Sequence, residues 1–335
     1  MSLFPSRRVF LRSAMGLGAL ISGASSATDE LQWRTRALVG FGTTLDLRAA
    51  HDDAAVADAA LDDAVGAVRR VEAQMSPFDA SSALSRFNRD GVLRAPPADL
   101  LAVLRLAQGV SQRSDGAFDA TVQPLWCVFE AARRAGRLPT PAAVAEARAK
   151  VDWRALEVAD THLRLHRPGM AVTLNGIAQG YAADLARDAM RARGVRHALL
   201  DTGEWASLGR SPQGRPWSLG IADPRREGAI LARLVLDGRC VATSADDRTS
   251  FSADHRFHHI FDPHSGYSPT ELASATVLAE QGALADALTK VMFVAGPKWG
   301  LAAAREWQVD VLLVDKARRL HLTPGMASML ETAVS

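Results

Sequence analysis

Cysteine is almost absent from the 335 residues: there are two, Cys127 and Cys240. Their separation is not a metal-ligand spacing, and two cysteines cannot staple a chain of this length, so a zinc-ribbon site and a disulfide-dense scaffold are both excluded. The two are read as buried apolar side chains, with a single disulfide as the alternative. Lysine is also scarce. Lys150, Lys290, Lys298 and Lys316 are the only four among 39 Lys+Arg, so each lysine calls for an explanation. There is no internal repeat, low-complexity block or linker. Charge of one sign is missing too: with Arg7, Arg8 and Arg12 set aside, the remainder holds 36 Lys+Arg against 37 Asp+Glu, which argues against a nucleic-acid binder. An ordinary apolar fraction of 48% over this length gives a globular chain with a sizeable core.

The first residues read as targeting rather than fold. Arg7-Arg8 is followed by Val9-Phe10-Leu11, and the apolar stretch Ala14 to Ile21 is too short to span a bilayer. Ser25-Ser26-Ala27 suits cleavage. Residues 1–27 are thus expected to be a twin-arginine export signal that delivers residues 28–335 to the periplasm, using the twin-arginine export machinery. Cargo of that route crosses the membrane folded, which allows a cofactor to be acquired beforehand.

The stretch from Thr173 to Leu208 organises the rest. Ile177, Ala178, Tyr181, Ala182, Leu185 and Ala189 recur at helical spacing, with Asp184, Arg187, Asp188, Arg191 and Arg193 on the other face. Gly194 ends the helix, and 197–201 supplies a short strand. Gly176 and Gly180 remove side chains where the backbone must pass close to something, and the first helical turn has free N–H groups to offer an anion. A plain helix-packing contact between small residues accounts for the same glycines.

Before that stretch, Ala37 to Arg48 reads as a strand, Asp52 to Gln74 and Ala98 to Gln112 as amphipathic helices, and Pro139 to Val151 as a helix. A short helix opens after Asp79 and closes at Asp90-Gly91. Strands are expected over 156–165 and 169–174. After it come strands at 217–221, 229–236, 240–243 and 273–279, a strand and turn over His255–Gly266, helices over 282–294 and 297–307, and a hairpin from 309–314 and 319–322. The fold class is α+β, helices packed on mostly antiparallel sheet, as one unit or as two lobes with the site between them.

Four clusters carry more. They are Met75-Ser76-Pro77-Phe78 with Ser85-Arg86-Phe87-Asn88; Gly116-Ala117-Phe118-Asp119-Ala120-Thr121 with Pro124-Leu125; Gly176-Ile177-Ala178-Gln179-Gly180-Tyr181-Ala182 with Asp201-Thr202-Gly203-Glu204; and Thr243-Ser244, His258-His259-Ile260-Phe261-Asp262-Pro263 and Ala285-Asp286-Ala287-Leu288-Thr289-Lys290. In this order and spacing the chain resembles the ApbE family of FAD:protein FMN transferases, over nearly all of its mature length, and looks closest to the NosX branch associated with nitrous-oxide respiration.

The resemblance implies an ApbE-like, T-fold-related domain. It also implies a Mg2+-dependent reaction in which FAD is split at its pyrophosphate, FMN is joined to a Thr or Ser hydroxyl of an exported acceptor flavoprotein, and AMP is released. Such phosphoryl transfer needs a cation, a positioned hydroxyl and little else. By resemblance Asp286 supplies a metal-binding carboxylate and Ala178 a carbonyl. Asp119 and Thr121 contact the nucleotide, or alternatively bond their own turn. Phe78 stacks on the flavin or packs in the core, and Met75 contacts the flavin or packs in the core. Glu204, after Gly203, accepts from an FAD hydroxyl or a backbone N–H, and Thr243 also lies in the flavin site. His258 and His259 alternate in a strand, so one of them faces the site; His259 is the candidate base or orienter and a flavin contact. A carrier that binds FAD without transfer and an FAD pyrophosphatase are the competing functions.

One position departs from the family. Where a metal-binding threonine is usual, four residues after Asp286, this chain has Lys290, which on a helix shares a face with Asp286. Three outcomes stand open: Lys290 pairs with Asp286 and displaces the metal, Lys290 contacts the FAD phosphates, or a local shift lets Thr289 serve as the metal ligand.

Overall fold

The structure is a computed structural model that describes residues 31–331. The expected export signal lies outside the described residues. Among the described residues no helix is long and apolar enough to cross a membrane.

The chain opens as a hairpin of β1 (Gln32–Gly40) and β2 (Thr43–His51). The single strand expected over Ala37–Arg48 is split because Phe41 and Gly42 both take positive φ, 50° and 77°, the backbone of a two-residue hairpin turn. Helix α1 (Ala54–Met75) begins where the Asp53 side chain accepts from the Ala55 N–H. Ser82 caps α2 (Ala83–Asp90), which Gly91 closes at φ 68°; β3 (Val92–Arg94) and α3 (Ala98–Arg113) follow. Helix α4 (Gln123–Arg134), with Pro124 in its first turn, was not expected, and it precedes α5 (Pro141–Arg148). Strands β4 (Leu156–Val158) and β5 (His162–Leu165) form a hairpin in place of one strand. Residues 169–174 make a single isolated bridge, Ala171 to Val122, and no strand.

The central stretch is α6 (Ala178–Ala192), β6 (His197–Asp201) and β7 (Trp205–Leu208). Then come β8 (Ser218–Ala222), β9 (Ile230–Val235), β10 (Cys240–Ala245) and β11 (Leu272–Ala279). Helix α7 (Gly282–Trp307) is two helices joined at a kink, Gly296 having φ 70° just before Pro297, as the two separate helical patterns imply. Strands β12 (Asp310–Asp315) and β13 (Leu320–Leu322), helix α8 (Pro324–Met329) and β14 (Leu330–Glu331) complete it.

Eight strands form one antiparallel sheet in the order β1-β2-β6-β7-β10-β11-β12-β13. Strand alternation gives it two apolar faces. On one, Leu47, Ala49, Ala198 and Leu200 pack with Leu61 and Ala64 of α1 and Ala183 and Ala186 of α6. Ala242, Ala275 and Val277 meet Leu288 and Met292 of α7 on that same face. The other face carries Val241, Leu278, Leu312 and Val314 against Trp217, just before β8, Leu219 and Leu234 of the small β14-β9-β8 sheet and Met326 of α8. Phe87, Leu100, Leu104 and Leu163, from the α2–α3 region and the β3-β5-β4 sheet, join the α7 core. The α7 core thus takes in the large sheet, the α2–α3 region and the β3-β5-β4 sheet, while the small β14-β9-β8 sheet packs on a separate apolar cluster. Neither cysteine is in a disulfide: Cys240 is buried and Cys127 is exposed, against the expectation of burial.

Candidate active site

Helices α6 and α7 meet at their N-termini, and each caps the other. The Asp184 carboxylate on α6 accepts from the Gly282 and Ala283 N–H groups at 2.7 and 2.9 Å, while the Asp286 carboxylate on α7 accepts from the Gly180 N–H at 3.3 Å. The anion at the glycine-rich helix start is thus one of the protein's own. Close approach makes this possible. A Cβ on Gly180 would lie 2.1 Å from the Gly282 carbonyl oxygen, and one on Gly282 would lie 2.5 Å from the Gly180 oxygen. Gly180 serves helix packing, and so does Gly282, which pattern alone did not single out. Asp184 was placed on the polar face of the helix; it pairs there with Arg187 at 3.1 Å, but its cap contacts lie about a hundred positions away and left no local signal.

Asp286 is 1% exposed. One carboxylate oxygen takes the Gly180 N–H and the other takes the Lys290 ammonium at 2.5 Å. Lys290 also donates to the Asp286 carbonyl at 3.1 Å, and its side chain remains 18% exposed. Gly176 makes room for this lysine: a Cβ there would stand 2.9 Å from Lys290 Cε. Thr289 points away from Lys290, as helical geometry requires, and is fully buried. Its hydroxyl donates to the Asp286 carbonyl at 2.7 Å and shares a hydrogen bond with Ser244 Oγ at 2.7 Å. Ser244, adjacent to the expected Thr243, is the β10 hydroxyl that faces α7.

Thr243 lies on the other side of the strand, exposed, its hydroxyl bonded to Thr276 at 2.9 Å. Its N–H donates to the Glu204 carboxylate at 3.0 Å, so Glu204 takes the backbone-accepting role. Burial, and next the nearby Asp286 charge, push the Glu204 carboxyl well above its ordinary value, with Lys290 opposing. Gly203, at φ 94°, leaves space for the Gln179 side chain, whose amide nitrogen would be 2.0 Å from an added Cβ.

His258 and His259 sit in a loop rather than the expected strand. His258 is buried, and both its nitrogens are engaged: Nε2 with the Pro269 carbonyl at 3.0 Å, Nδ1 accepting from the Ile260 N–H at 3.4 Å. His259 Nδ1 lies 3.3 Å from the Thr249 carbonyl, which fixes the proton on Nδ1 and leaves Nε2 an acceptor with no partner among the described residues. Desolvation is the chief cause that pulls His258 down to about 4 and His259 to about 3; for His259 the neighbouring His258 and Lys290 add to it. An imidazole with so low a pKa orients a hydroxyl by accepting its hydrogen bond and is a poor proton sink near pH 7.

The remaining expected residues separate. Ala178, the first residue of α6, is buried two positions before Gly180, which contacts Asp286. Met75 is buried in the core and Phe78 is 72% exposed, so the core alternative holds for Met75 and not for Phe78. Asp119 accepts from the Thr121 N–H and hydroxyl, both at 2.7 Å, and from the Trp153 N–H at 3.0 Å; Thr121 in turn accepts from the Asp152 N–H at 2.9 Å. Both bond within their own turn and also hold the backbone of residues 152–153. A buried ion cluster escaped the sequence reading: Asp246, with no exposure, binds Arg225 through two contacts of 2.7 Å and also Lys316, whose ammonium reaches the His255 carbonyl at 2.9 Å. It ties the histidine loop to the β12–β13 turn, and its lysine was conspicuous only by rarity.

These side chains do not fit a magnesium ion. Mg2+ requires near-octahedral oxygen ligation at roughly 2.0–2.1 Å. Here both Asp286 oxygens carry N–H donors, one of them a full ammonium, and the Thr289 hydroxyl is committed to Asp286 and Ser244. Among the described residues no group of three His, Cys, Asp or Glu side chains is placed to hold a metal.

Comparison with known proteins matches residues 41–313 to the ApbE family. The FAD:protein FMN transferase of Haemophilus influenzae is 30% identical over 318 residues, covering 89% of this chain and 92% of that protein. That of Klebsiella pneumoniae is 29% identical over 325 residues, covering 92% and 93%. Among solved structures, the Pseudomonas stutzeri flavinyl transferase ApbE superposes with a TM-score of 0.76 at 27% identity, covering 91% of this chain and 98% of its own. The ApbE protein of Thermotoga maritima gives 0.78 at 24% identity, covering 90% and 100%, a likeness of fold.

Proposed function

The chain belongs to the ApbE family, and from that premise we propose that it is an FAD:protein FMN transferase acting on a Thr or Ser hydroxyl of an exported flavoprotein. The observation that carries the reading is the meeting of the α6 start with Asp286 at 3.3 Å, with Lys290 at the junction and Glu204 and His259 within its electrostatic reach. Separate parts of the chain bring a cation, a backbone turn and a neutral imidazole together, which is what in-line transfer of a phosphoryl group uses.

In the reaction the acceptor oxygen forms a bond to the FMN phosphorus, and the bond from that phosphorus to the bridging oxygen breaks. AMP leaves with the electron pair, and the hydroxyl proton passes to solvent water. His259 Nε2 accepts the hydroxyl hydrogen bond and aims the oxygen. The magnesium dependence implied by the family resemblance is left out of this proposal, because the side chains do not fit the ion. The proposal places the protein in the periplasm after twin-arginine export, with an acceptor of the respiratory electron-transfer type, as the NosX resemblance suggests.

The Lys290–Asp286 pair also favours a second reading, a carrier that holds FAD without transferring it. Incubation of residues 28–335 with FAD and an acceptor fragment containing a threonine separates the readings. Fluorescent labelled acceptor with released AMP is expected. AMP with free FMN would make the protein a pyrophosphatase, and retained intact FAD would make it a carrier.

A further inference from the structure

We propose that the Lys290 ammonium is the resident cation of this site and contacts the FAD diphosphate directly, so that flavin binding and transfer proceed without a divalent metal. The inference rests on the transferase reading and specifies what neutralises its substrate. Lys290 Nζ occupies one Asp286 oxygen at 2.5 Å and the Asp286 carbonyl at 3.1 Å. An ammonium has three donors, so one N–H is left. The side chain keeps 18% exposure, whereas Asp286 beneath it keeps 1%, so the free donor is on the open side of the pair.

The lysine is held there rather than resting there. Its stem runs against the backbone of Gly176 so closely that even a methyl group on that residue would stand 2.9 Å from Cε and 3.4 Å from Cδ. Behind it, the Gly180 N–H holds the second Asp286 oxygen, and Thr289 and Ser244 hold each other. For a metal to enter, the ammonium must leave its carboxylate and Thr289 must give up two hydrogen bonds of 2.7 Å. A diphosphate oxygen needs only the remaining N–H, from which it accepts one charge-assisted hydrogen bond. The bond changes of the transfer are unaltered.

The test is FAD binding to residues 28–335, followed by flavin fluorescence in EDTA and in millimolar magnesium, with calorimetric titration of MgCl2 into the protein. The wild-type Kd should agree within about twofold between the two buffers, and magnesium alone should give no binding heat. Loss of one charge-assisted hydrogen bond predicts that Lys290→Thr binds FAD about tenfold or more weakly in EDTA, with magnesium restoring it, while Lys290→Arg stays near wild type. A wild-type affinity that rises tenfold or more with magnesium overturns the proposal, as does a folded Lys290→Thr that binds FAD normally in EDTA. The wild-type comparison stands even if the variant does not fold. Absence of FAD binding in both buffers would be a different failure, that of the flavin reading itself.

Discussion

Replacing Gly180 with alanine should destabilise the protein, although the residue sits inside a helix where alanine is the better former by roughly 1 kcal/mol. The new Cβ would lie 2.1 Å from the Gly282 carbonyl oxygen and 2.8 Å from the Ala283 nitrogen. These are backbone atoms and cannot swing aside, so α6 and α7 must separate by about an ångström. Overpacking a close contact costs about 1–3 kcal/mol and occasionally more. Separation also stretches the Gly180–Asp286 bond, already 3.3 Å, and the Asp184 cap on Gly282 and Ala283. A capping interaction is typically worth ~1 kcal/mol. The net expectation is a loss of about 2 kcal/mol, or roughly 3 °C in Tm at about 2.1 cal/mol/K of unfolding entropy per residue. Two internal controls share the sequence context. Gly66 in α1 and Gly109 in α3 are exposed helix-interior glycines with nothing within 4 Å of a Cβ, so alanine at either should stabilise by up to about 1 kcal/mol. Thermal melts and urea titrations of the three variants decide the matter. Gly180→Ala behaving like the two controls would refute the reciprocal-cap geometry.

Asp246→Ala strips the partner from Arg225 and Lys316 and should cost about 3 kcal/mol in urea unfolding, since removing one member of a buried ion pair leaves a charge uncompensated. Burial alone would raise the Asp246 carboxyl, but Arg225 and Lys316 together hold it below its ordinary value, so its contribution is present at neutral pH and is lost as pH falls through the depressed pKa. His258 and His259, pulled down to about 4 and about 3, act in the same direction: below about pH 6.5 the unfolded chain takes up protons that the native state refuses. His258→Gln and His259→Gln should each flatten the fall of stability between pH 6 and 4.5 relative to wild type, by up to about 1.4 kcal/mol per pH unit, and an unchanged slope would contradict the buried neutral imidazoles. Met75→Ala and Phe78→Ala should divide cleanly: the first loses about 2–5 kcal/mol of stability from the core, while the second stays within about 0.5 kcal/mol yet weakens FAD binding several-fold if the exposed ring stacks on the flavin. Melts and fluorescence titrations read both.

Much of the scaffold was legible in the chain. The periodicity of Asp52–Gln74 and Ala98–Gln112, the break at Gly296-Pro297 and the hairpin after Val309 are all where local signals put them. The family's motifs led to the α6 start, Asp286 and Lys290, which the fold brings together. Turn chemistry was harder to see. Phe41-Gly42 turns a strand into a hairpin because a non-glycine residue accepts positive φ there, and the histidine loop alternates like a strand without pairing as one.

Sequence by itself determined which residues would be helical, which would alternate, and which hydroxyls, acids and imidazoles the chain possesses, because those properties depend on neighbours a few positions away. Only the tertiary structure decided what each of them faces. That Gly180 meets Gly282, that Gly176 shelters Lys290, that Asp184 caps a helix beginning ninety-eight positions later and that Asp286 is matched by an ammonium are contacts between distant segments. Each is fixed by how two helix ends approach across the sheet, and the energies that select that approach are sums over packing and hydrogen bonds that no local window contains.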